Sequence, residues 1–598
     1  MCGIIATVGR SDTLDVLMNG LSMLDYRGYD SAGVALGGGG DRVEVVKRAG
    51  KLENLRAALD GEGAPEGAVG VAHTRWSTHG PPTDENAHPH TDPEGRVAVV
   101  HNGIIENYQR LRDDLEAAGQ EFASDTDTEV VPHLIAAALD RGEPVEQAVR
   151  QAVDAIEGSY ALCIAVAGDD RLYGARNDSP LVLGIDDGAY YLASDVPAFR
   201  KHTDQVAFLE EGEFVTVSPD GYTVTDGAGE PVEKPHHTVE WDPEEAGKAG
   251  YDHFMLKEIH EQPRSLRQCL QGRVDELSGS VELEELEGLE RPEQLHLVAA
   301  GTSYHAAVYA ATLLRSAGVP AQAFYAHEYA ATTPPVEDAL VVGVTQSGET
   351  ADTLGALRAA RRRGATTLAC TNTVGSTAAR ECDHTLYIHA GPEIGVAATK
   401  TFASQLVALS LFSLWLDDGD AREQIAALRD LPGQVQAVLD DSRAREIAET
   451  YHGSDAYFFI GRGLNYPVAL EGALKFKEIT YEHAEGFAAG ELKHGPLALV
   501  TENTPVFAVV TGDGEQARKT VGNVKEVEAR DAPVVAVTDG ASDAARYADH
   551  VLEIPETDPR TGAVLANVQL QLVAYHAADL LGRPIDKPRN LAKSVTVE

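Results

Sequence analysis

From about residue 290 onward the chain repeats itself. HLVAAGTSYHAAV (296–308) resembles AYFFIGRGLNYPV (456–468), and VVGVTQSGET (341–350) resembles FAVVTGDGEQ (507–516). TLACTN (367–372) matches VVAVTD (534–539), and DHTLYI (383–388) matches DHVLEI (549–554). The offset is roughly constant, as two copies of one fold require. Within each copy, short apolar runs alternate with helical patterns, which indicates βαβ units and a parallel sheet. The duplication predicts two α/β domains of like topology.

The copies differ where a ligand would sit. After its second strand the first copy has Thr345-Gln346-Ser347-Gly348-Glu349-Thr350. Small hydroxyl residues and Gly entering a helix make an anion cradle from N–H and O–H groups. The second copy has Thr511-Gly512-Asp513-Gly514-Glu515 there, and Asp513 would repel a phosphate. One phosphate site is expected, in the first copy. The second copy instead carries the ionisable set Glu471, Lys475, Glu478, Glu491, Lys493 and His494. Glu471, Lys475 and Glu478 are spaced i, i+4 and i+7, hence on one helix face. Spacing alone fits a solvated, salt-bridged face. The apolar setting LEGALKFKEI (470–479) instead predicts a partly buried helix.

Residues 2–238 have another texture, of short strands, turns and a few helices, and read as α+β. Strand candidates are Val43–Lys47, Val69–Ala72, Val97–Val100, Tyr160–Ala167, Ala189–Ala193 and Glu213–Val217. Helical patterns fall near 12–24 and 128–157. Cys2 stands before Gly3-Ile4-Ile5. Were Met1 removed, as a small second residue favours, Cys2 would carry a thiol and a free α-amine together, a nucleophile with its own base. On position alone Cys2 also fits a small residue entering a buried strand. Between about 225 and 252, Gly, Pro, Glu and His predominate, which reads as a linker. A helix is expected from His253 to a stop at Glu261-Gln262-Pro263.

The chain has 598 residues and 43% apolar content, enough for several globular domains. Its formal charge, 49 − 94 = −45, repels nucleic acid and anionic lipid. No run is long enough to span a bilayer, and Ile4 to Val8 is too short for a signal peptide, so a cytoplasmic setting is expected. The five cysteines show no CxxC spacing, which suggests a reducing environment without disulfides or a zinc site. The cations are mostly Arg. Acid-rich, Lys-poor surfaces suit concentrated salt, where self-repulsion is screened, and a salt-adapted source is expected. Against this scarcity, Lys475, Lys477, Lys493 and Lys593 stand out as positions that need an amine.

Many segments, in order, resemble the isomerising glutamine:fructose-6-phosphate aminotransferase family. They are CGI (2–4), YRGYDSAG (26–33), HTRWSTHG (73–80), NAHPH (86–90), HNGIIEN (101–107) and SDTDTE (124–129). Further along come GTSY (301–304), QSGET (346–350), EIGVAATK (393–400), ALEGALKFKEI (469–479), AAGELKHGPLAL (488–499) and PRNLAKSVTVE (588–598). The resemblance implies an α+β N-terminal-nucleophile (Ntn) glutaminase domain, an αββα sandwich, at 2–238. It implies a linker and hinge helix at 239–285. Two α/β sugar-isomerase (SIS) domains with parallel sheets follow at 286–430 and 445–582, and an active-site tail at 583–598. No cofactor and no metal is implied. The partners implied are glutamine and fructose 6-phosphate, with assembly as a homodimer or larger homo-oligomer.

By the same resemblance, Cys2 attacks glutamine's side-chain amide, and Asn102 and Gly103 hold the oxyanion. Read by itself, His101-Asn102-Gly103 is a tight turn after strand 97–100. Arg75 would bind the α-carboxylate and Asp127 the α-ammonium of glutamine, with Thr78 and His79 as further substrate-binding residues. Trp76 would gate the ammonia route. Asp125, Asp127 and Glu129 lack metal-spaced histidines, and an acidic helix N-terminus also accounts for them. His88 and His90 are given a structural or loop-closing role. For the sugar, Ser303, Thr345, Gln346, Ser347 and Thr350 would take the phosphate, while Thr302 and Val396 line the ring. Thr345 stands where the family commonly has Ser and keeps the hydroxyl. His494 would open the ring, Lys593 form an imine, and Glu478 move the proton between C1 and C2. Lys475 would stabilise the enediol-like charge, and Glu471 would orient it. Lys593 lies in a tail expected to be mobile. The resemblance places the reaction at the first step of the hexosamine pathway. Other N-terminal-Cys amidotransferases are disfavoured, because neither a pyrophosphate loop nor an SGGxDS-type loop is found.

Overall fold

The computed structural model describes all residues except 1, 25–27, 29, 38–39, 77–79, 240–247, 249, 276–277, 418–419 and 596–598, and the side chain of residue 62. The chain forms two compact units, one of residues 1–246 with 594–598 and one of residues 247–593.

Among the described residues the first unit is built on two antiparallel sheets, one of eight strands and one of seven. Strand β1 (Gly3–Val8) lies centrally in the first, paired with β2 (Val69–Arg75) so that Ile4 faces His73. In the second sheet β3 (Val97–Ile105) pairs with β4 (Gly158–Val166). Side chains alternate across a strand, and the cores follow that period. Ile4, Ala6, Val8, Val69, Val71, Ala98 and Val100 share one core, between the two sheets. Val97, Val99 and Ile105 face the other way, into a core shared with helices α2 (Tyr108–Ala117), α3 (Val130–Asp140) and α4 (Val145–Ala155). Helix α1 (Thr13–Leu24) covers the outer face of the first sheet. Its Gly20 lies so close that a Cβ there would meet Ile5 at 2.9 Å.

Several expectations need correction here. The 128–157 pattern is two helices, broken where Gly142 takes φ +84° and Pro144 follows. A helix at Leu52–Glu62 and α2 both went unrecognised, because their polar faces dilute the apolar period. The segment 225–252 is not wholly a linker: Pro231–Val232 and His237–Thr238 add short strands to the sheet edges. Asn102-Gly103 is not a turn, since β3 runs through it and pairs Asn102 with Ala161 and Gly103 with Tyr160.

The second unit opens on helix α5 (Phe254–Leu270), which runs past Pro263. A proline lacks the N–H that would bond the carbonyl four residues back. Here Gln262 Nε2 donates to that carbonyl, of Ile259, at 3.0 Å, so the helix continues. The first copy of the repeat comprises β5 (Gln294–Ala299), α6 (Gly301–Ser316), β6 (Ala321–Tyr325), β7 (Ala339–Thr345), α7 (Ala351–Arg362), β8 (Thr366–Thr371) and β9 (His384–Tyr387). Helix α8 (Lys400–Leu416) follows, buried on nearly all sides. The second copy comprises β10 (Tyr457–Gly461), α9 (Asn465–Thr480), β11 (Ala484–Ala488), β12 (Val506–Val510), α10 (Glu515–Glu528), β13 (Val534–Thr538) and β14 (His550–Glu553). The strand orders, β6-β5-β7-β8-β9 and β11-β10-β12-β13-β14, are the same, and every pair is parallel. One apolar core continues through both copies. In such sheets ligands bind beyond the carboxyl ends of the strands, where the order reverses. In the first copy that point lies between β5 and β7, hence beside Thr302-Ser303 and Thr345–Thr350.

Candidate active sites

In the first unit Cys2 is half-buried at the head of β1. Its Sγ accepts a hydrogen bond from Trp76 N–H at 3.2 Å and lies 3.5 Å from the Trp76 carbonyl. Burial pushes the thiol up from its ordinary value, so the resting group is a thiol and needs a base to act. Arg75 ends β2, almost fully buried, and donates to the carbonyls of Gly80 (3.2 Å) and Pro81 (3.4 Å). Burial lowers its pKa, while the nearby Cys2, Asp30 and Asp127 oppose that shift. The nucleophile, the guanidinium and Asp127 therefore share one neighbourhood. Asp127 is buried and accepts Ile105 N–H at 2.8 Å. Gly28, within YRGYDSAG, packs so tightly that a Cβ would lie 2.6 Å from the Arg75 backbone.

Asn102 and Gly103 come from the other sheet. Asn102 Nδ2 donates to the Cys2 carbonyl at 2.9 Å. Gly103 has φ +133°, and a Cβ would lie 2.0 Å from the Ser159 carbonyl, so only glycine fits. Thr78 and His79 lie outside the described residues, as do Met1 and the question of its removal. Trp76 is half-buried beside Cys2. His88 and His90 are buried and bond the hydroxyls of Thr128 and Thr126, each at 3.0 Å, tying NAHPH to 124–129. Glu129 accepts from Ala123 N–H, Ser124 N–H and the Ser124 hydroxyl, which holds the entry to α3. Among the described residues no group of three or more His, Cys, Asp or Glu is arranged to hold a metal.

In the second unit α9 presents Glu471, Lys475 and Glu478, as the spacing predicts, and the face is buried. Lys475 Nζ lies 2.5 Å from Glu478 and 3.5 Å from Glu471, and Glu471 and Lys475 are almost wholly inaccessible. Burial works against the Lys475 charge, but Glu478, Glu471 and Glu393 outweigh it and keep the ammonium above its ordinary pKa. Burial, aided by Glu471, holds Glu478 above the usual carboxylate range despite Lys475. Thr302 Oγ1 donates to Glu471 at 3.0 Å, which brings the first copy to the charged helix of the second.

Lys593 reaches the site from the tail. Its amine pairs with Glu393 and donates to the Gly395 carbonyl at 2.8 Å. The preceding chain is also held, since Asp586 accepts Phe254 and Met255 N–H, and its carbonyl accepts Val396 N–H at 3.0 Å. In the cradle, the Thr345 and Thr350 hydroxyls lie 3.0 Å apart, and Thr345 Oγ1 accepts Gly348 N–H at 3.2 Å. Ser347 Oγ accepts Glu349 N–H, the Gln346 carbonyl accepts Asn372 N–H, and Ser303 Oγ accepts from Gln405 Nε2.

The six-membered ionisable set does not hold together. Glu491, Lys493 and His494 lie on a short 3-10 turn at the surface, where Lys493 pairs with Glu526 at 2.9 Å. His494 is exposed and takes no part in the Glu471–Lys475–Glu478 contacts. Of the four conspicuous lysines, Lys475 and Lys593 are enclosed, while Lys477 and Lys493 are exposed, Lys493 in its ion pair with Glu526. Three further residues were not anticipated. His305 Nδ1 lies 2.7 Å from Glu471, Glu393 holds Lys593, and Glu258 accepts the N–H groups of Ile394 (2.5 Å) and Gly395 (3.1 Å). His305 follows GTSY directly and Glu393 opens EIGVAATK, so both lie in or beside segments the resemblance had already marked.

A glutamine amidotransferase domain model matches residues 73–201, and a SIS domain model matches 288–414 and 451–580. The chain is 52% identical to the isomerising glutamine–fructose-6-phosphate aminotransferase of Halobacterium salinarum and 45% identical to that of Thermus thermophilus, across the whole of each chain. The solved C-terminal domain of the glucosamine-fructose-6-phosphate aminotransferase of Francisella tularensis covers 57% of this chain and all of its own, with 37% identity and a TM-score of 0.54. The chain belongs to the isomerising glutamine–fructose-6-phosphate aminotransferase family.

Proposed function

We propose that this chain converts fructose 6-phosphate and glutamine to glucosamine 6-phosphate and glutamate. Full-length similarity to relatives of that name carries the reading. The geometry of both units supports it. The first unit acts as an Ntn glutaminase of αββα form over 2–238. Along the chain there follow a hinge region (239–285), SIS domains at 286–430 and 445–582, and the tail 583–598.

In the first unit, Cys2 attacks the amide carbon of glutamine once Met1 removal frees its α-amine to take the thiol proton. Asn102 and the Gly103 N–H hold the oxyanion, Arg75 and Asp127 hold the two ends of glutamine, and Thr78 and His79 also serve its binding. The C–N bond breaks, ammonia leaves with the proton, and water hydrolyses the thioester to glutamate. In the second unit, the hydroxyls of Ser303, Thr345, Ser347 and Thr350, with Gln346, bind the phosphate. Thr302 and Val396 line the sugar. Lys593 forms the imine at C2, which ammonia then displaces; the resemblance gives ring opening to His494, although its exposed turn stands apart from the Glu471–Lys475–Glu478 contacts. Glu478 moves the proton from C1 to C2, Lys475 steadies the developing negative charge, and Glu471 orients Lys475. This chemistry uses a thiol, amines and carboxylates and calls for no cofactor. The acidic surface adapts the protein to salt.

Supplying both substrates in high and in low KCl, and assaying glucosamine 6-phosphate and glutamate, tests the reading. Product is expected in high KCl, and its absence in both defeats the proposal. Trp76→Ala should leave glutamine hydrolysis intact while lowering amino-sugar yield per glutamine severalfold. An unchanged ratio removes Trp76 from the gating role.

A further inference from the structure

Within the first unit, the nucleophile and its oxyanion donor lie on different sheets. Cys2 leads into β1 of the eight-stranded sheet, and Asn102 lies on β3 of the seven-stranded sheet. The residues packed between the sheets are mainly aliphatic, from Ile4, Ala6 and Val71 to Ala98 and Val100. Apolar packing is non-directional and does not by itself aim a donor. One pair breaks the apolar period. His73 continues the inward-facing positions 69 and 71 of β2, and Asn102 continues 98 and 100 of β3. Both are buried, His73 completely.

The chemistry at this pair is determined by its neighbours. Asn102 has a main-chain carbonyl, that of Cys2, 2.9 Å from its Nδ2. A carbonyl only accepts, so the amide NH₂ must face it and Oδ1 must face the other way. On that side His73 Nε2 lies 3.1 Å from Asn102 Oδ1 and 3.0 Å from the His101 carbonyl. Both are acceptors, so Nε2 carries the proton and donates to both. His73 Nδ1 is buried without a hydrogen-bond partner among the described residues, as the bare nitrogen of a neutral imidazole would be. Burial drives the ring's pKa down to about 3, so it stays neutral throughout the working range.

We infer that His73 is a positioning residue of the glutaminase, whose Nε2–H locks the Asn102 amide with its NH₂ toward Cys2. One Nδ2 hydrogen bonds the Cys2 carbonyl, and the second is left for the oxyanion. Without His73 the amide can rotate, and its oxygen would then confront the developing negative charge. This assignment rests on the glutaminase reading above.

The test uses the full-length protein, with His73→Phe (a flat ring without a donor), His73→Gln (an N–H near the position of Nε2) and His73→Asn (an N–H near Nδ1). Cys2→Ala is the control. A removed oxyanion donor costs about 10²–10³-fold, and a misaimed one somewhat less. His73→Phe should lower glutaminase kcat by about 10–100-fold with KM for glutamine within about twofold, and His73→Gln should restore most of the loss. Glutamate γ-semialdehyde, whose adduct with Cys2 carries the oxyanion, should bind about 10–100-fold more weakly to His73→Phe, with glutamate affinity unchanged. A kcat within twofold of wild type, or parallel losses for aldehyde and glutamate, overturns the assignment. If His73→Phe does not fold, His73→Gln and His73→Asn decide, and equal activities of the two overturn it. Wild-type protein that hydrolyses no glutamine, like the Cys2→Ala control, removes the glutaminase reading and this assignment with it.

Discussion

The two sugar-isomerase copies share a strand order and differ in what their loops carry. In the first, the loop after β7 holds the hydroxyls of Thr345, Ser347 and Thr350 around backbone N–H groups. In the second, the corresponding Gly512 N–H is already bonded by Asp539 at 2.7 Å, and Asp513 adds a negative charge. The charged helix shows the reverse pattern. Lys475 lies between Glu471 and Glu478 on α9, whereas the corresponding helix α6 carries no carboxylate and supplies Thr302 and His305 to Glu471. On the proposed reading a duplicated scaffold is divided, with anion capture assigned to one copy and proton chemistry to the other. The contacts of Thr302 and His305 with Glu471 join them.

The division is broken most sharply at the charged helix. Glu478→Gln keeps the shape and removes the proton acceptor, so amino-sugar formation should fall about 10²–10⁴-fold. Glutamine hydrolysis measured without sugar should be unchanged, and a comparable fall there would contradict the division of labour. The next effect is at the cradle. Ser347→Ala removes one hydrogen bond to a charged group, worth about 1.5–3 kcal/mol, so KM for fructose 6-phosphate should rise about 10–100-fold at near-constant kcat. Asp513→Ser, the matching change in the second copy, should leave KM within twofold. A rise there would reveal a second phosphate site.

The smallest effect sharpens the contrast through pH. Glu393 is held down to about 2 from 4.5 by Lys593 and its hydrogen bonds, in spite of burial. Its stabilisation is complete above about pH 4.5 and is lost as pH falls through about 2. Glu258 has the opposite sign. Burial and the neighbouring Glu393 push it up to about 7 from 4.5. The folded state therefore binds its proton more tightly, and its contribution is full below about pH 4.5 and lost as pH rises through about 7. Glu258→Gln keeps an oxygen for the Ile394 and Gly395 N–H groups and removes the titration. Its melting temperature relative to wild type should increase by roughly 2 °C between pH 5 and 8. Scanning calorimetry at both values checks this, and a constant difference would contradict it.

Legibility in the sequence followed the range of the interactions. The repeat could be read because buried strands such as Val341–Val344 and Val534–Val537 are unbroken apolar runs. The Glu471–Lys475–Glu478 face could be read because helical spacing is local. Pro263 could not, because its helix survives through a side-chain bond from Gln262 that no propensity anticipates. Asn102-Gly103 looked like a turn, because Asn-Gly usually is one, and only pairing with β4 explains the extended backbone. His73 was legible in principle, as a polar residue on the apolar period of Val69 and Val71, but its partner lies on another sheet.

Covalent order and local periodicity were enough for the α/β duplication, the thiol at position 2, the hydroxyl loop and the charged helix face, since each is written in neighbouring residues. The folded chain was needed to show that Lys593 meets Glu393, that Thr302 and His305 hold Glu471, that Lys493 and His494 stand at the surface, and that Asn102 is aimed from a second sheet. Those pairings depend on which surfaces close on one another. That closure is set by the burial of many weakly specific apolar side chains together, and no short stretch of sequence encodes it.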